Sequence, residues 1–600
     1  MKSAWKDLKK YTATFKRNWL AYFLLLLSLD LFNQIVVIPL FRYFITYILQ
    51  ASAIPFVSYQ NLITIITTHT LMFGVLIVEL IVLLIIIYLQ FAFLLLAVRA
   101  INDSNFHLKS IFSETFQSLR KIRVGSLLLL MIYFLLVVPF ADIIFRTPLL
   151  TKIQVPQFIL DYMTRTPLLL TLLISFYVII IFLGIRLIYT LPIMIFKQEK
   201  TFLAMKKSWN LTKKGSWIPI IGRLIILAIT TGVVVAAFYT LIYVLQLGCD
   251  LLPGKYFSLT MAIINLSLIQ IFSEIILVYS TLVSLFILLA ALKLEKDSIA
   301  NRSTKKRHFS KTIITFTSLA ALIIVAGSVT TNIFYLIGVN STKPLVISHR
   351  GVDNKNGVQN TIQALRKTAK EKPDFVEIDL HETKDKQFVV LHDENLKKLT
   401  GVNKAPKELT LKQITKLTAK EDGHQSKIVG FDQYLTEAQK LKQKLLIEIK
   451  TTPNDTKTML ARFNRKYGKI ILENKYQVQS LDYKVIEGLH QINPKLFVLY
   501  IQPYNFTYPQ SVADGYSMEY STLNSDFIWQ AHLQNHPVYA WTINDAALMK
   551  KMMYEQVDGL ITDRVGLAKK TIKKFQQDYS YANRILNYVI VVHKPHSFEV

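Results

Sequence analysis

Apolar and polar residues alternate on two different scales along this chain of 600 residues, long in the first part and short in the second. Seven apolar runs before residue 340 reach the length of about 20 residues that a transmembrane helix needs. They are 19–41, 71–98, 124–145, 167–196, 217–247, 260–292 and 312–339. One such run could be a buried core helix, but seven in succession predict a multi-pass membrane domain over 1–340.

From Leu345 onwards, short apolar runs are separated by polar segments with helical periodicity. The runs that predict strands are 345–349, 375–380, 388–392, 445–449, 476–480, 496–501, 515–520, 538–542 and 557–562. Alternation of strand and helix predicts a parallel sheet. About eight such units favour a TIM barrel over 341–570, although periodicity alone leaves an open doubly wound sheet possible. Residues 571–600 form a C-terminal tail, whose apolar stretch is too short to span a membrane.

The charges predict how the membrane domain is oriented. The N-terminal arm and every second connection carry 24 Lys and Arg residues, whereas the three intervening connections carry five. Because cytoplasmic loops are enriched in basic residues, this places the N-terminus in the cytoplasm and the barrel outside. The net charge of +29 is therefore a topology signal, and nucleic acid is excluded as a partner. The single cysteine, Cys249, excludes an intramolecular disulfide framework.

Reactive side chains recur at the ends of the predicted strands. In a TIM barrel the active site is built at the carboxyl ends of the strands. The residues in question are His349, Arg350, Glu377, Asp379, His392, Glu448, Lys450, Trp541 and Asp563. An apolar core does not need charged and polar side chains of these kinds, so their repetition at strand ends predicts an active site.

Three of these residues are carboxylates that suit a hard divalent cation. Glu377 and Asp379 lie two apart in one strand and so share a face, and Glu448 ends a later strand. Oxygen ligands of this kind favour Ca²⁺, Mg²⁺ or Mn²⁺. A glycosidase with paired carboxylates is the competing interpretation.

Phosphate chemistry is favoured by the basic residues beside the carboxylates. Arg350 can hold a phosphate through two parallel hydrogen bonds. His349 and His392 can exchange protons with attacking and leaving oxygens near neutral pH.

These motifs resemble the glycerophosphodiester phosphodiesterase family over about 345–566. The matching stretches are His349-Arg350-Gly351, Asn360-Thr361, Glu377-Ile378-Asp379, Thr383-Lys384-Asp385, His392-Asp393, Ile447-Glu448-Ile449-Lys450, Gln479-Ser480, Trp541-Thr542 and Asp558-Gly559-Leu560-Ile561-Thr562-Asp563. The first part resembles the membrane domain that precedes this catalytic domain in some Gram-positive bacteria. That second resemblance rests on the layout of the spans and on Ser208-Trp209-Asn210-Leu211-Thr212.

The resemblance implies an activity and a role for each matching residue. Members cleave glycerophosphodiesters to glycerol 3-phosphate and an alcohol. The implied roles are general acid and base for His349 and His392, phosphate binding for Arg350 and Lys450, binding of Ca²⁺ or Mg²⁺ for Glu377, Asp379 and Glu448, and substrate binding for Trp541, Asn360 and Gln479. The implied substrate is a deacylated phospholipid or a teichoic-acid-like diester, and the membrane domain implies contact with lipid.

Three positions depart from the family pattern. Gln359 stands where Glu is usual before Asn-Thr, Arg564 follows the last Asp where Pro is usually near, and His381 follows Asp379 where an uncharged residue is commoner. None of them removes an implied catalytic group, but Gln359 makes the pocket less acidic. Two other functions stay open at this point: a phosphatidylinositol-type phospholipase C, and a membrane protein that binds lipid or teichoic acid without turnover.

Overall fold

The first part of the chain is helical in the computed structural model, which describes residues 2–52, 54, 65–103, 106–120, 129–134, 155–213, 215–292, 311–337, 343–504, 508–577 and 580–592. Its helices are Lys2–Phe32, Ile38–Ala51, Thr70–Asn102, Leu108–Leu119, Gln157–Met163, Pro167–Leu187, Thr190–Phe196, Thr201–Leu211, Ile218–Leu251, Lys255–Ala291 and Lys311–Ile337, and a π-helical stretch, Asn33–Val37, joins the first two.

Five helical stretches in the described part are long and apolar enough to cross a membrane: Ala4–Ala51, Thr70–Asn102, Pro167–Phe196, Ile218–Leu251 and Tyr256–Ala290. They confirm a membrane domain with several apolar helices and contain most of five predicted spans. The predicted span 124–145 falls largely outside the described residues. The last predicted span coincides with the helix Lys311–Ile337.

Arg186 holds two neighbouring segments of the membrane domain together. Its guanidinium lies 4.4 Å from the ring centroid of Trp209 and donates a hydrogen bond to the carbonyl oxygen of Thr212. The backbone carbonyl of Arg186 accepts a 2.8 Å hydrogen bond from the Ser208 hydroxyl. The Ser-Trp-Asn-Leu-Thr stretch therefore satisfies a cation that would be costly to leave unpaired near the membrane.

The second part is a closed barrel of eight parallel strands with helices outside. Its strands are β1 Leu345–Ser348, β2 Phe375–Glu382, β6 Leu445–Ile449, β7 Gln477–Ser480, β8 Val498–Gln502, β9 Gly515–Glu519, β10 Val538–Trp541 and β11 Gly559–Thr562; β3 Phe388–Val390, β4 Thr418–Glu421 and β5 His424–Lys427 lie outside the ring. Pairing of β1 with both β11 and β2 closes the ring. This confirms the TIM barrel and rules out the open sheet.

Helices of the second part cover the barrel and fill its loops. They are Ile362–Thr368, Lys397–Thr400, Leu411–Ile414, Phe431–Lys440, Met459–Glu473, Tyr483–Ile492, Ser525–Leu533, Ala546–Tyr554, Val565–Gln577 and Tyr581–Asn587, with 3₁₀ turns at His349–Gly351, Ala369–Glu371 and Pro406–Glu408 and a π turn at Tyr588–Val592.

One predicted strand differs from the expectation. The run 388–392 forms only the short β3, which pairs antiparallel with β2 and is not one of the eight barrel strands. Only five residues join the two strands, whereas a parallel crossover needs a dozen or more. The β4–β5 hairpin was not predicted, because its residues are mostly polar.

The side chains of each barrel strand alternate between two apolar cores, one between the strands and the helices and one inside the ring. Along β2, Val376, Ile378 and Leu380 belong to the large cluster between strands and helices. Phe375 points the other way, into a cluster with residues such as Leu446 of β6. Because side chains alternate along a strand, residues two and four positions beyond Phe375 also point into the barrel. The inner face of the barrel is thus apolar at one end, and at the other end it carries polar side chains that can form a site.

The tail after the barrel returns to the membrane domain. Ile585 is buried in a cluster with residues of three membrane helices, among them Leu266 and Leu336. Asp250, at the end of a long membrane helix, accepts hydrogen bonds from the Ser580 hydroxyl at 3.0 Å and the Ala582 amide at 2.9 Å. The tail therefore attaches the far end of the barrel domain to the membrane helices.

Candidate active site

Three buried carboxylates meet at the carboxyl end of the barrel. Glu377 and Asp379 lie on the inner face of β2, and Glu448 is the register partner of Asp379 on β6. One oxygen from each lies within 4.8 Å of the others. Burial, followed by the charges of Asp379 and Glu448, raises the pKa of Glu377 well above its usual value. Like charges held this close in a buried site need a compensating cation.

Two basic side chains supply part of that compensation. The Lys450 ammonium lies 3.1 Å from Asp379 Oδ1 and 2.5 Å from Glu448 Oε1. Arg350 Nε lies 3.9 Å from Asp379 Oδ2. Burial opposes the ionisation of Asp379, but Lys450, His392 and Arg350 outweigh it and hold its pKa well below the usual value. Asp379 is therefore ionised, with a basic group on either side.

His349 is oriented by an acid from the last strand. Its Nδ1 lies 2.8 Å from Asp563 Oδ1, and Asn544 holds the other oxygen of Asp563 with a 2.7 Å hydrogen bond from its amide. Burial raises the pKa of Asp563, yet the charge of His349 and these hydrogen bonds bring it down to about 2. Asp563 thus fixes the imidazole ring through Nδ1 and leaves Nε2 on the side of Arg350, whose Nε–H donates a 3.2 Å hydrogen bond to it.

His392 is oriented in the same way by its sequence neighbour. Its Nδ1 lies 2.8 Å from Asp393 Oδ1. Burial lowers the pKa of His392 to about 4, against the opposing charge of Asp379. At neutral pH this imidazole is uncharged, so its Nε2 can accept a proton. The two histidines are thus each oriented at Nδ1 by an aspartate of their own.

The backbone at Arg350 explains the His-Arg-Gly sequence. Arg350 has a left-handed backbone, with φ of 52°, and its amide donates a 2.8 Å hydrogen bond to Glu377 Oε2. Gly351 follows at φ of 70°, and a Cβ there would lie 2.8 Å from the Tyr434 hydroxyl. Glycine is required because a larger residue would be strained and would collide with Tyr434. The turn aims Arg350 across the carboxylates.

The remaining predicted residues also lie on this face. Asn360 donates a 2.8 Å hydrogen bond to Asp379 Oδ2, and Gln479 donates one of 3.4 Å to Glu377 Oε1. Trp541 ends β10 on the inner face, beside the apolar cluster at the base of the site. Among the described residues, Gln479 Oε1 and Trp541 Nε1 are buried without a hydrogen-bond partner. All ten predicted residues therefore converge on one end of the barrel.

Four further residues contact the site without a role assigned from the sequence, although Asp563 was counted there among the reactive strand ends. Asp563 and Asp393 bind the two histidines, and Asn544 holds Asp563. Glu421, on the β4–β5 hairpin, accepts hydrogen bonds from Gln359, whose side-chain oxygen in turn accepts a 2.8 Å bond from Arg350. The two acids were visible in the sequence, one directly after His392 and one at the end of a strand. The sequence did not show that these acids pair with the two histidines.

The three carboxylates fit a divalent cation. They supply three hard oxygen donors from two adjacent strands. A bound cation would relieve the repulsion among their negative charges. Asn360, Gln479 and the Arg350 amide hold individual carboxylate oxygens in place, as outer partners of metal ligands commonly do. The donor set suits Ca²⁺ or Mg²⁺.

Comparison with known proteins covers both parts of the chain. Residues 8–327 match the model of the membrane domain of glycerophosphoryl diester phosphodiesterase, and residues 349–567 match that of the glycerophosphoryl diester phosphodiesterase family. The Bacillus subtilis protein YhdW, a candidate glycerophosphodiester phosphodiesterase, is 26% identical over 36% of this chain and 93% of its own length.

Two further relatives carry the same description. A glycerophosphodiester phosphodiesterase from Caldanaerobacter subterraneus is 26% identical over 37% of this chain and 94% of its own length. The crystal structure of one from Parabacteroides distasonis is similar with a TM-score of 0.34 and 24% identity, covering 39% of this chain and 99% of that chain.

Proposed function

The chain belongs to the glycerophosphoryl diester phosphodiesterase family, in the form that carries an N-terminal membrane domain, and we propose that it hydrolyses glycerophosphodiesters by acid–base catalysis between His349 and His392. The observation that supports this is the pair of histidines, each oriented by its own acid, on either side of three buried carboxylates. In this proposal residues 1–340 anchor the enzyme and 341–570 carry the chemistry, while residues 580–592 of the C-terminal tail 571–600 attach the barrel to the anchor.

Substrate binding depends on the basic residues around the carboxylates. Arg350 is held by its bond to Gln359, and its remaining donors can bind a phosphoryl oxygen. Lys450 lies on the opposite side of Asp379 and neutralises charge there. The buried Trp541 Nε1 is available to an oxygen of the glycerol or of its substituent. When bound to Glu377, Asp379 and Glu448, a Ca²⁺ or Mg²⁺ ion would stabilise negative charge on the phosphoryl oxygens.

The first step uses the hydroxyl on the carbon next to the phosphoester. His392 is uncharged at neutral pH because burial lowers its pKa to about 4, so it takes the hydroxyl proton as the oxygen attacks phosphorus. In this proposal His349, oriented by Asp563 at its Nδ1, gives a proton from Nε2 to the departing alcohol oxygen. One P–O bond forms and one breaks, which leaves a cyclic phosphate. Attack within one molecule gains a large positional advantage.

The second step reverses the two roles. His349, now uncharged, takes a proton from water as the water oxygen attacks phosphorus, and His392 returns its proton to the ring oxygen that leaves. The products are glycerol 3-phosphate and the alcohol. Asp563 and Asp393 keep both imidazoles oriented through the cycle.

The activity is tested by a panel of diesters with the full-length protein in detergent or lipid nanodiscs. Glycerophosphocholine, glycerophosphoethanolamine, glycerophosphoglycerol and a short polyglycerolphosphate cover the deacylated phospholipid and teichoic-acid classes. We expect turnover of at least one, loss of activity with a chelator, and recovery with Ca²⁺ or Mg²⁺. Release of headgroup from intact phosphatidylinositol but from none of these diesters would instead favour a phospholipase C.

The cyclic route is tested by an analogue that lacks the neighbouring hydroxyl. We expect it to inhibit competitively and not to turn over, because no internal nucleophile remains. Rapid cleavage of this deoxy diester would show direct attack by water and would overturn the first step.

We also propose that the barrel lies outside the cell membrane and the N-terminus inside. The distribution of basic residues supports this orientation. Protease added to intact protoplasts should cleave within the barrel and leave the connection 293–311 intact, whereas permeabilised protoplasts should lose both. Protection of the barrel in intact protoplasts would reverse the orientation.

A further inference from the structure

A polar hairpin outside the barrel ring reaches the residue that holds Arg350. Its strands β4 and β5 pair antiparallel, with Glu421 opposite His424 at the closed end. The two residues between them, Asp422 and Gly423, have positive φ angles of 47° and 78°. A two-residue turn of this kind fixes the register of a hairpin, so Glu421 has a defined position beside the turn.

The hairpin is attached to the barrel domain through an apolar cluster. Ala419 lies two residues before Glu421 and so on the same face of β4. It is buried in a cluster that includes Val358, the residue directly before Gln359. Packing of the hairpin on this cluster therefore brings the Glu421 carboxylate to Gln359.

The Glu421 carboxylate binds Gln359 through both of its oxygens. The backbone amide of Gln359 donates a 3.0 Å hydrogen bond to Glu421 Oε2, and the side-chain Nε2 donates one to Oε1. At the other end of the same side chain, Gln359 Oε1 accepts a 2.8 Å hydrogen bond from Arg350 Nη1. Gln359 is buried, so these bonds are stronger than the same bonds would be in water.

The chemistry of the three groups allows only one orientation of the Gln359 amide. A guanidinium can only donate hydrogen bonds, and an ionised carboxylate can only accept them. An amide between them must turn its oxygen to Arg350 and its nitrogen to Glu421. The reverse orientation would set an amide N–H against the guanidinium and a carbonyl oxygen against the carboxylate. Glu421 therefore keeps an acceptor in front of Arg350.

We propose that Glu421 is a positioning residue for phosphate binding, which fixes the Gln359 amide and, through it, the guanidinium of Arg350. This inference rests on the proposed function, in which Arg350 binds a phosphoryl oxygen. The bond at Arg350 Nη1 goes to a neutral oxygen, and the charge of Glu421 lies one side chain further away. Arg350 is thus held without an ion pair at Nη1 that would compete with the phosphate.

The test neutralises Glu421 without changing its shape. Full-length Glu421→Gln in lipid nanodiscs should lower kcat/KM for the best diester of the panel about five- to tenfold, because a charge-assisted bond that orients the amide becomes a neutral one. Asp422→Asn is the matched control, since Asp422 is the neighbouring acid of the same hairpin and pairs with the exposed Lys355 at 3.3 Å. The control should retain the kcat/KM of wild type, and both variants should keep its melting temperature.

A double-mutant cycle shows whether Glu421 acts through Arg350. Arg350→Ala alone should lower kcat/KM strongly. Adding Glu421→Gln to it should lower kcat/KM less than about twofold further, because no guanidinium is left to position. A further loss as large as that of Glu421→Gln in the wild-type background would show that Glu421 acts elsewhere, and would overturn the inference.

An exchange of the two side chains provides an independent arm. Gln359→Glu alone places two carboxylates in contact and should lower kcat/KM at least as much as Glu421→Gln does. The double variant Gln359→Glu/Glu421→Gln again offers an acceptor to Arg350 and a donor to that acceptor, so kcat/KM should recover to within about threefold of wild type. An exchanged protein that keeps the wild-type melting temperature but recovers no activity would contradict the positioning role.

The outcomes distinguish this inference from the function on which it rests. Wild-type kcat/KM in Glu421→Gln, or an equal loss in Asp422→Asn, would overturn the positioning role while the proposed function stands. Failure of the wild-type protein to turn over any diester of the panel would overturn both.

Discussion

Charged groups are arranged differently in the ion pairs of the membrane domain and at the catalytic end of the barrel. The described ion pairs within the membrane domain join one cation to one anion, as Arg223 does with Asp7 at 2.8 Å and Lys207 with Glu199. In the barrel three carboxylates crowd within 4.8 Å of one another. Paired charges satisfy each other and stabilise a fold modestly, whereas an unbalanced group of like charges costs stability and is kept for chemistry. The arrangement of charge therefore distinguishes the membrane domain, which we propose to be an anchor, from the barrel, which carries the proposed chemistry.

The architecture of each part explains the contrast. Eight parallel strands closed in a ring bring eight carboxyl ends to one place, so that side chains from distant segments converge. Membrane helices run past one another and distribute their polar groups along their length. Within the part of the chain that the structure describes, the helix Gln157–Met163 of the membrane domain touches the strand ends through Phe158 and Gln157.

The strongest test of the contrast removes a histidine from the barrel. His349→Ala and His392→Ala should each lower kcat roughly 10²–10⁴-fold, the usual loss for a general acid or base. Steady-state kinetics on the best diester of the panel measures this. His490→Ala, an exposed histidine on the helix Tyr483–Ile492, is the matched control and should behave as wild type. A change of less than about fivefold in either site variant would contradict the acid–base pair.

The second test neutralises one of the crowded carboxylates. Glu377→Gln should raise the metal concentration needed for half-maximal activity at least tenfold, because one ligand is weakened. The same change should leave the metal-free protein at least as stable as wild type, since burial and the charges of Asp379 and Glu448 already disfavour the ionised form of Glu377. Thermal unfolding with and without Ca²⁺ measures both effects. A metal-free variant less stable than wild type would show that Glu377 is not under repulsion.

The third test uses pH. Burial lowers the pKa of His392 to about 4, so the uncharged base of the first step is fully present above about pH 5 and is lost as the pH falls through 4. With metal saturating, kcat/KM should fall about tenfold for each pH unit below that point. Doubling the metal concentration controls for competition between protons and the ion. If kcat/KM instead fell with a midpoint near pH 6.5, burial would not be what sets the pKa of His392.

The smallest effect is expected from the membrane domain. Asp7→Asn breaks the ion pair with Arg223, in which both side chains are about a third exposed. Pairs this exposed contribute only about 0–1 kcal/mol, so we expect a small fall in thermal stability and activity within twofold of wild type. A tenfold loss of activity in Asp7→Asn would show that the membrane domain takes part in catalysis, and would contradict its role as an anchor alone.

The barrel strands were predictable because buried parallel strands appear as continuous apolar runs. Each of the eight ring strands overlaps a predicted run, six lie wholly within theirs, and β2 and β8 extend one or two residues beyond. The third run, 388–392, was correctly predicted as a strand but lies outside the barrel, as its five-residue connection to β2 already indicated by favouring an antiparallel pair. Thr418–Lys427 escaped prediction because a polar hairpin has no apolar alternation to detect.

Within the site, the positions of the reactive residues were predictable but their partners were not. His349 and Asp563 are 214 residues apart, and only the pairing of β1 with β11 brings them together. The contact of Phe158 with Trp541 joins two domains that the sequence divides cleanly. Residue type and periodicity indicate what a segment can form, whereas contacts of this range depend on the closed fold.

The tail that follows the barrel has a consequence for the order in which the protein is assembled. Ser580 bonds to Asp250 across 330 residues of chain, so its docking surface is synthesised long before the tail itself. While the barrel emerges, the groove that receives Ile585 is still open. The contact between the tail and the membrane helices is therefore the last one to form. A chain that ended before residue 580 would keep the complete barrel and the contact of Phe158 with Trp541 but would lose the attachment to Asp250.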